Sequence, residues 1–332
     1  MIKYSTFEER YYFQLKKNNM FKIKILIATL VLMYTSVNYG QHTDEINSNR
    51  PGETMSAFSV GKSVIQIETG VYAIKQKHSL LGYNSNGFGI DVTLRWGLFL
   101  EKLELIADIQ YQNEHYNALF NSSKIANFKQ TVLGAKYLIY DPFKNFEKRI
   151  NIHSWKANRT FNWRQLIPAV SLFAGANFTM ADNPYSFSPE SNISPKIILI
   201  TQNHFGDGRW VFVTNTIADY VTTDFPSYGY VLTLTRGFND KWSGFVENQG
   251  FKSDFYSDAI VRGGAAYLLN KDMQIDASIS TSLKTTPSIL YGGIGFSWRY
   301  DANYKEVRIN IDTKDKNAGT KAGKRAQKTK KG

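Results

Sequence analysis

The chain has 332 residues, no cysteine and a net charge of +12. The absence of cysteine excludes a disulfide framework, thiolate metal ligands, a cysteine nucleophile and a lipid-bearing cysteine. The charge sits at the ends: residues 1–40 carry +4 and 313–332 carry +7, which leaves 41–312 near +1 and removes the support for a basic nucleic-acid-binding domain.

Lys22 and Lys24 precede an apolar run from Ile25 to Met33, and the chain then passes through Tyr34 to Gly40. A positive stretch, a short apolar core and a small residue at the cut form a secretory signal peptide. The run falls well short of the roughly 20 apolar residues that a spanning helix needs. Residues 1–40 are therefore expected to be cleaved after Gly40, with Met20 as a second candidate start; an uncut N-terminal anchor is the alternative. Residues 41–62 read as a polar periplasmic leader.

From residue 63 the pattern changes to period two. In Phe88–Leu98, Phe88, Ile90, Val92, Leu94, Trp96 and Leu98 share one face, and Gly89, Asp91, Thr93, Arg95 and Gly97 share the other. Period two is a strand, and the clean split means two different environments. Similar segments are predicted at 63–74, 88–98, 103–111, 128–140, 166–180, 195–203, 210–220, 228–238, 242–250, 259–269, 274–281 and 289–300. Twelve is an even number, no amphipathic helix intervenes, and several segments reach the nine to eleven residues of a tilted transmembrane strand. The expected fold is all-β: a transmembrane antiparallel up-and-down barrel over 63–300. A soluble β-sandwich is the structural alternative.

Short turns are expected at 99–102, 239–241 and 270–273, and longer polar loops at 75–87, 112–127, 181–194, 221–227, 251–258 and 282–288. Short turns at one end and long loops at the other are the outer-membrane pattern, with the turns periplasmic. Residues 141–165 break it: a long periplasmic insertion with six Lys/Arg against two acids. Its Phe143, Phe146, Trp155, Phe161 and Trp163 are candidate contacts for a periplasmic or outer-membrane protein partner, since such rings are costly to leave in water. Residues 301–332 are expected as a basic periplasmic tail, a second candidate for partner contact: Tyr304–Ile311 reads as a short strand or an extended arm, and Thr313–Gly332, which cannot bury a core, as disordered.

No motif for a nucleophile, a phosphate loop or a metal site stands out. The five histidines (His42, His78, His115, His153, His204) lack ligand spacing. No cofactor is implied, and the chain does not read as an enzyme. Gly292-Gly-Ile-Gly295 falls inside a strand, where small residues ease packing or curvature. The polar strand faces supply the one constellation: Gln66, Glu68, Asp91, Arg95, Glu104, Asp108, Lys136, Glu247, Arg262, Asp276 and Arg299 as candidate lumen-lining residues. They can line a hydrophilic pore, or pair across a narrow lumen and plug it. Trp96, Tyr137, Tyr267, Trp298 and Tyr300 near strand ends fit an aromatic girdle against outer-membrane lipid.

Asn49-Arg-Pro-Gly-Glu-Thr54 and Gly61-Lys-Ser-Val-Ile-Gln-Ile-Glu-Thr-Gly70 resemble the opening of a family labelled "putative meta-pathway of phenol degradation", or simply "transporter". Gly134-Ala-Lys-Tyr137 and Trp242-Ser-Gly-Phe-Val-Glu247 are similar to its later strands. The Tyr39-Gly40-Gln41 ending of the signal region resembles those of Bacteroidota. The resemblance spans about 49–300 and implies an outer-membrane barrel passing small solutes, among them hydrophobic or aromatic ones. It does not cover 141–165 or the tail. The expected function is a channel or transporter for small solutes; the alternative is a non-conducting barrel subunit of an assembly or secretion complex.

Overall fold

The computed structural model describes residues 45–118, 122–142, 163–180, 183–186, 192–205, 208–254 and 256–301. Twelve strands form one closed ring: β1 (Val64–His78), β2 (Tyr83–Gly97), β3 (Leu103–Ala118), β4 (Ser122–Tyr140), β5 (Ala169–Phe178), β6 (Ile193–Phe205), β7 (Trp210–Asp219), β8 (Ser227–Gly237), β9 (Trp242–Lys252), β10 (Ser257–Asn270), β11 (Met273–Ser282) and β12 (Ser288–Asp301). Each pairs with its sequence neighbours, and β12 returns to β1, so the sheet has no edge. A sandwich of two sheets is excluded by that closure.

The faces are inverted relative to a soluble protein. On β2 the exposed side chains are Phe88, Ile90, Val92, Leu94 and Trp96, while Arg95 is fully buried. The same alternation places Val71, Leu105, Ile109, Leu133, Leu172, Leu199, Leu234, Val246, Ile279 and Ile294 on the outside. The buried set includes Gln66, Glu68, Glu104, Glu114, Lys136 and Glu247. A contiguous apolar band of this extent is untenable in water and is what lipid demands of a barrel exterior. No helix among the described residues is long and apolar enough to cross a membrane, so the strands do the crossing.

The strand expectations hold in number and parity but not in length at one end. Residues 75–87 and 112–127 were expected as long loops; instead β1 and β2 pair as far as His78↔Tyr83, and β3 and β4 as far as Asn117↔Ser122. Once strands pass the lipid band both faces become polar, so the alternation fades while the ladder continues. The expected strand 166–180 is shorter: Trp163–Leu166 forms one turn of 3-10 helix, and β5 begins at Ala169, directly after Pro168, which has no N–H to give to a ladder. A bulge at Gln110/Tyr111 sets Lys129 out of register between β3 and β4.

Candidate functional site

Residues 46–60 of the segment 41–62, expected as a polar periplasmic leader, lie inside the barrel. This correction has a physical reason: the segment has no periodicity of its own, and most of its backbone hydrogen-bond partners are inward-facing side chains of the strands. The Ile46 N–H donates to the Lys271 carbonyl in the β10–β11 turn at 2.8 Å, and the Ser59 hydroxyl donates to the Lys102 carbonyl in the β2–β3 turn at 3.0 Å. Both anchors belong to the short-turn end. Between them the segment rises into the lumen and comes back.

Much of its backbone is hydrogen-bonded to the barrel's inner side chains, as irregular chain at membrane depth requires. The Asn49 and Arg50 N–H groups donate to Glu68 at 3.1 and 3.2 Å. Glu53 N–H donates to Glu247 at 3.2 Å, and the Thr54 hydroxyl reaches the same carboxylate at 2.9 Å. Asn215 binds Met55 twice, accepting from its N–H at 2.7 Å and donating to its carbonyl at 3.0 Å, as a strand neighbour would. Gln202 accepts from Ala57 N–H at 2.9 Å, and Glu104 from Val60 N–H at 2.9 Å. Lys136 donates to the Ser56 and Phe58 carbonyls at 2.7 and 3.1 Å, and Arg95 to the Asn47 carbonyl at 2.7 Å.

Charge is balanced locally. Arg95 sits between Glu68 at 3.1 Å and Glu104 at 2.9 Å, and Lys136 is 3.1 Å from Glu104. Two cations thus face two carboxylates, all four at 1% exposure or less. Arg50 on the segment pairs with Asp91 on β2 and with Asp276 on β11. Its guanidinium fits because Gly70 and Gly295 flank it: a Cβ at either would overlap the group. The glycine run at 292–295 therefore does more than ease curvature. Arg262 pairs with Glu247 and, at 3.4 Å, with Glu53.

All eleven sequence-predicted lumen positions lie on the inward face. Gln66, Glu68, Arg95, Glu104 and Lys136 are brought into one network with the segment; Asp91 and Asp276 join through Arg50, and Glu247 and Arg262 through Glu53 and Thr54. Asp108 stays apart and accepts from the Thr93 hydroxyl at 3.1 Å. Arg299 lies at the short-turn rim, 3.9 Å from Asp272. Of the candidate partner contacts, Trp163 is 76% exposed, and Phe143, Phe146, Trp155 and Phe161 fall outside the described residues.

Sequence reasoning missed Arg50 as a lumen group. A signal existed: the predicted lumen set holds six carboxylates and four cations, an excess that calls for a further cation. It also missed a two-sided interior. Ile106, Val132, Phe173, Ile198, Ile200 and Val213 form an apolar wall across β3–β7, and Met55, Ala57 and Phe58 of the segment pack on it. Nearer the long-loop end, tyrosines cross the lumen. Tyr72 and Tyr291 meet edge-on at 6.1 Å, Lys129 stands 5.6 Å from the Tyr291 ring, and Tyr72 donates to Gln112 at 2.8 Å. Beside them lies a small polar cavity of about 70 Å³ bordered by Lys129, Asn177, Tyr185 and Asp219.

A closed, edge-free ring of twelve antiparallel strands with an apolar exterior and a polar interior is an outer-membrane β-barrel. The chain belongs to the family described as "Putative MetA-pathway of phenol degradation", whose model matches residues 48–300. That span begins within the luminal segment and ends with β12. No curated protein matches the chain. Among solved structures, an outer membrane channel from Pseudomonas putida F1 is similar at 12% identity over 80% of this chain and 100% of its own, with a TM-score of 0.46. The translocator domain of the autotransporter NalP from Neisseria meningitidis is similar at 9% identity over 76% of this chain and 90% of its own, with a TM-score of 0.44. The monoaromatic hydrocarbon channel CymD is similar at 9% identity over 73% and 90%, with a TM-score of 0.40.

Proposed function

We propose that the protein is a passive outer-membrane channel for small, weakly polar solutes, with residues 46–60 as a resident closure of the periplasmic half of its lumen. One observation carries this reading: the interior is two-sided, and Met55, Ala57 and Phe58 of the segment cover an apolar wall formed by Ile106, Val132, Phe173, Ile198, Ile200 and Val213. A pore for hydrated ions has no use for such a wall. A small aromatic or aliphatic solute does, because it gains contact there without stripping water from charges. The family's description, which refers to phenol degradation, agrees with a solute of that kind.

The test is single-channel recording and solute flux with purified mature protein and with a variant lacking residues 46–60. The intact protein is expected to conduct ions poorly; the deletion variant is expected to give large, steady openings. Uptake of a small aromatic solute into vesicles is expected from the intact protein. Intact protein that passes no such solute, or a correctly folded deletion variant that stays silent, refutes the reading.

A role in a multiprotein assembly is favoured by one separate observation, the 76% exposure of Trp163 at the short-turn rim. Trp163→Ser with a mild-detergent pull-down tests it: a co-purifying protein lost in the variant supports the role, and recovery of this chain alone from both removes it.

A further inference from the structure

The outer surface holds one cation in an unusual setting. Arg236 on β8 faces outward, paired in register with Trp210 on β7 and Gly244 on β9. Its guanidinium stands 4.9 Å from the Trp210 ring and 5.6 Å from the Phe238 ring. The Phe238 ring lies over Gly244, where a Cβ would crowd it, so the absent side chain makes its seat. Trp242 and Tyr267, with ring centroids 4.8 Å apart, extend the aromatic row to β10. Trp210, Phe238 and Trp242 are 37%, 59% and 49% exposed, so the row faces the bilayer rather than the lumen.

The charge has no protein partner: among the described residues the Arg236 side chain has neither an ion pair nor a hydrogen bond. The outward positions of β7, β8 and β9 carry no carboxylate at all. Toward the bilayer centre the neighbouring outward side chains are Phe212, Leu234 and Val246, and on the other side are the turns. Arg236 thus stands between the apolar band and the short turns, with two rings 4.9 and 5.6 Å from its guanidinium. A guanidinium held in this way presents its N–H fork to one tetrahedral oxyanion.

We infer that Arg236, Trp210 and Phe238 form a binding site for the phosphate of an anionic glycerophospholipid in the periplasmic leaflet. The rings hold the cation at headgroup depth, and the phosphate supplies the counter-charge that the protein does not. The acyl chains then lie along Phe212, Leu234 and Val246. An anionic lipid is preferred to a zwitterionic one because the latter's own ammonium competes for the phosphate.

The test is native mass spectrometry of the delipidated full-length mature protein titrated with phosphatidylglycerol or phosphatidylcholine. Wild type, Arg236→Gln, Arg236→Lys and the rim control Lys271→Gln are compared, with heat-modifiable migration confirming the fold. Wild type is expected to retain one phosphatidylglycerol preferentially. Arg236→Gln is expected to weaken that binding about tenfold, Arg236→Lys less, and Lys271→Gln not measurably. Equal retention by wild type and Arg236→Gln overturns the site. So does equal loss in Lys271→Gln, which means diffuse rim charge; equal affinity of the wild type for both lipids overturns the preference for an anionic headgroup, since phosphatidylcholine carries a phosphate as well.

Discussion

Replacing Arg50 by methionine is the sharpest probe of the luminal segment. The substitution keeps side-chain length and removes the charge that lies between Asp91 and Asp276. The Asp276 side chain is wholly buried, so two carboxylates are left facing one another with little water. Breaking a buried ion pair from one side costs about 3–5 kcal/mol. The Arg50 and Asp91 side chains retain 14% and 17% exposure, which argues for the lower end of that range, about 3 kcal/mol. Because Arg50 sits on the segment and both acids on the wall, the loss falls on the docked state of the segment, not on the barrel. At about 1.4 kcal/mol per factor of ten, the ratio of docked to undocked segment drops roughly a hundredfold. Single-channel recording of the folded variant reads this as a rise in open probability, and limited proteolysis reads it as faster cleavage within 46–60. Adding Asp91→Asn and Asp276→Asn is expected to restore much of the docking, since the stranded charges are gone. Arg50→Met protein with wild-type openings and wild-type proteolysis refutes the reasoning.

Other outcomes follow from the same geometry. Gly70→Ala and Gly295→Ala are expected to open the channel in the same way, because each methyl displaces the Arg50 guanidinium; proteolysis of the segment checks it. Asn215→Ala removes a two-way bond to Met55 and is expected to cost the docked state about 1–3 kcal/mol, with Asn215→Asp intermediate. Glu104→Gln leaves Arg95 and Lys136 short of a carboxylate and is expected to lower the unfolding midpoint of the barrel in urea, unlike Arg50→Met. Ile294→Arg on the lipid face, 63% exposed in the absence of lipid, is expected to destabilise the inserted barrel by up to about 4 kcal/mol, read by refolding into vesicles.

The barrel was legible because lipid and lumen impose opposite chemistry on alternate residues, and Phe88 to Leu98 records it one residue at a time. All eleven inward positions read from that parity fall on the inner face. The strand ends at the long-loop side were not legible. Lys75, Lys77, Asn84 and Asn86 pair in a ladder, yet polar residues on both faces read as loop. The site's key residue was harder still. Arg50 lies in a stretch without period, and nothing local distinguishes a leader in solvent from one bound in a lumen. What betrayed it was a sum over distant strands, two carboxylates too many, which a scan of local windows does not collect. The apolar wall escaped for a related reason: Ile106, Val132, Phe173 and Ile198 sit on faces whose other members are polar.

The segment is joined to β1 through Gly61, Lys62 and Ser63, and the Ser63 N–H is held by the Gly97 carbonyl at 2.7 Å. It is therefore an intramolecular ligand on a tether of a few residues. Its concentration at its own site is set by chain geometry, on the order of millimolar for a short linker, whatever the amount of protein in the membrane. Release from Glu68, Glu247 and Asn215 does not send it away; it rebinds before anything of ordinary affinity in the periplasm can take its place. A solute passing the barrel has to displace Met55 and Phe58 from the apolar wall, and with them the Asn215 and Lys136 bonds to their backbone, while Glu68 and Glu247 keep their hold on Asn49, Arg50 and Glu53.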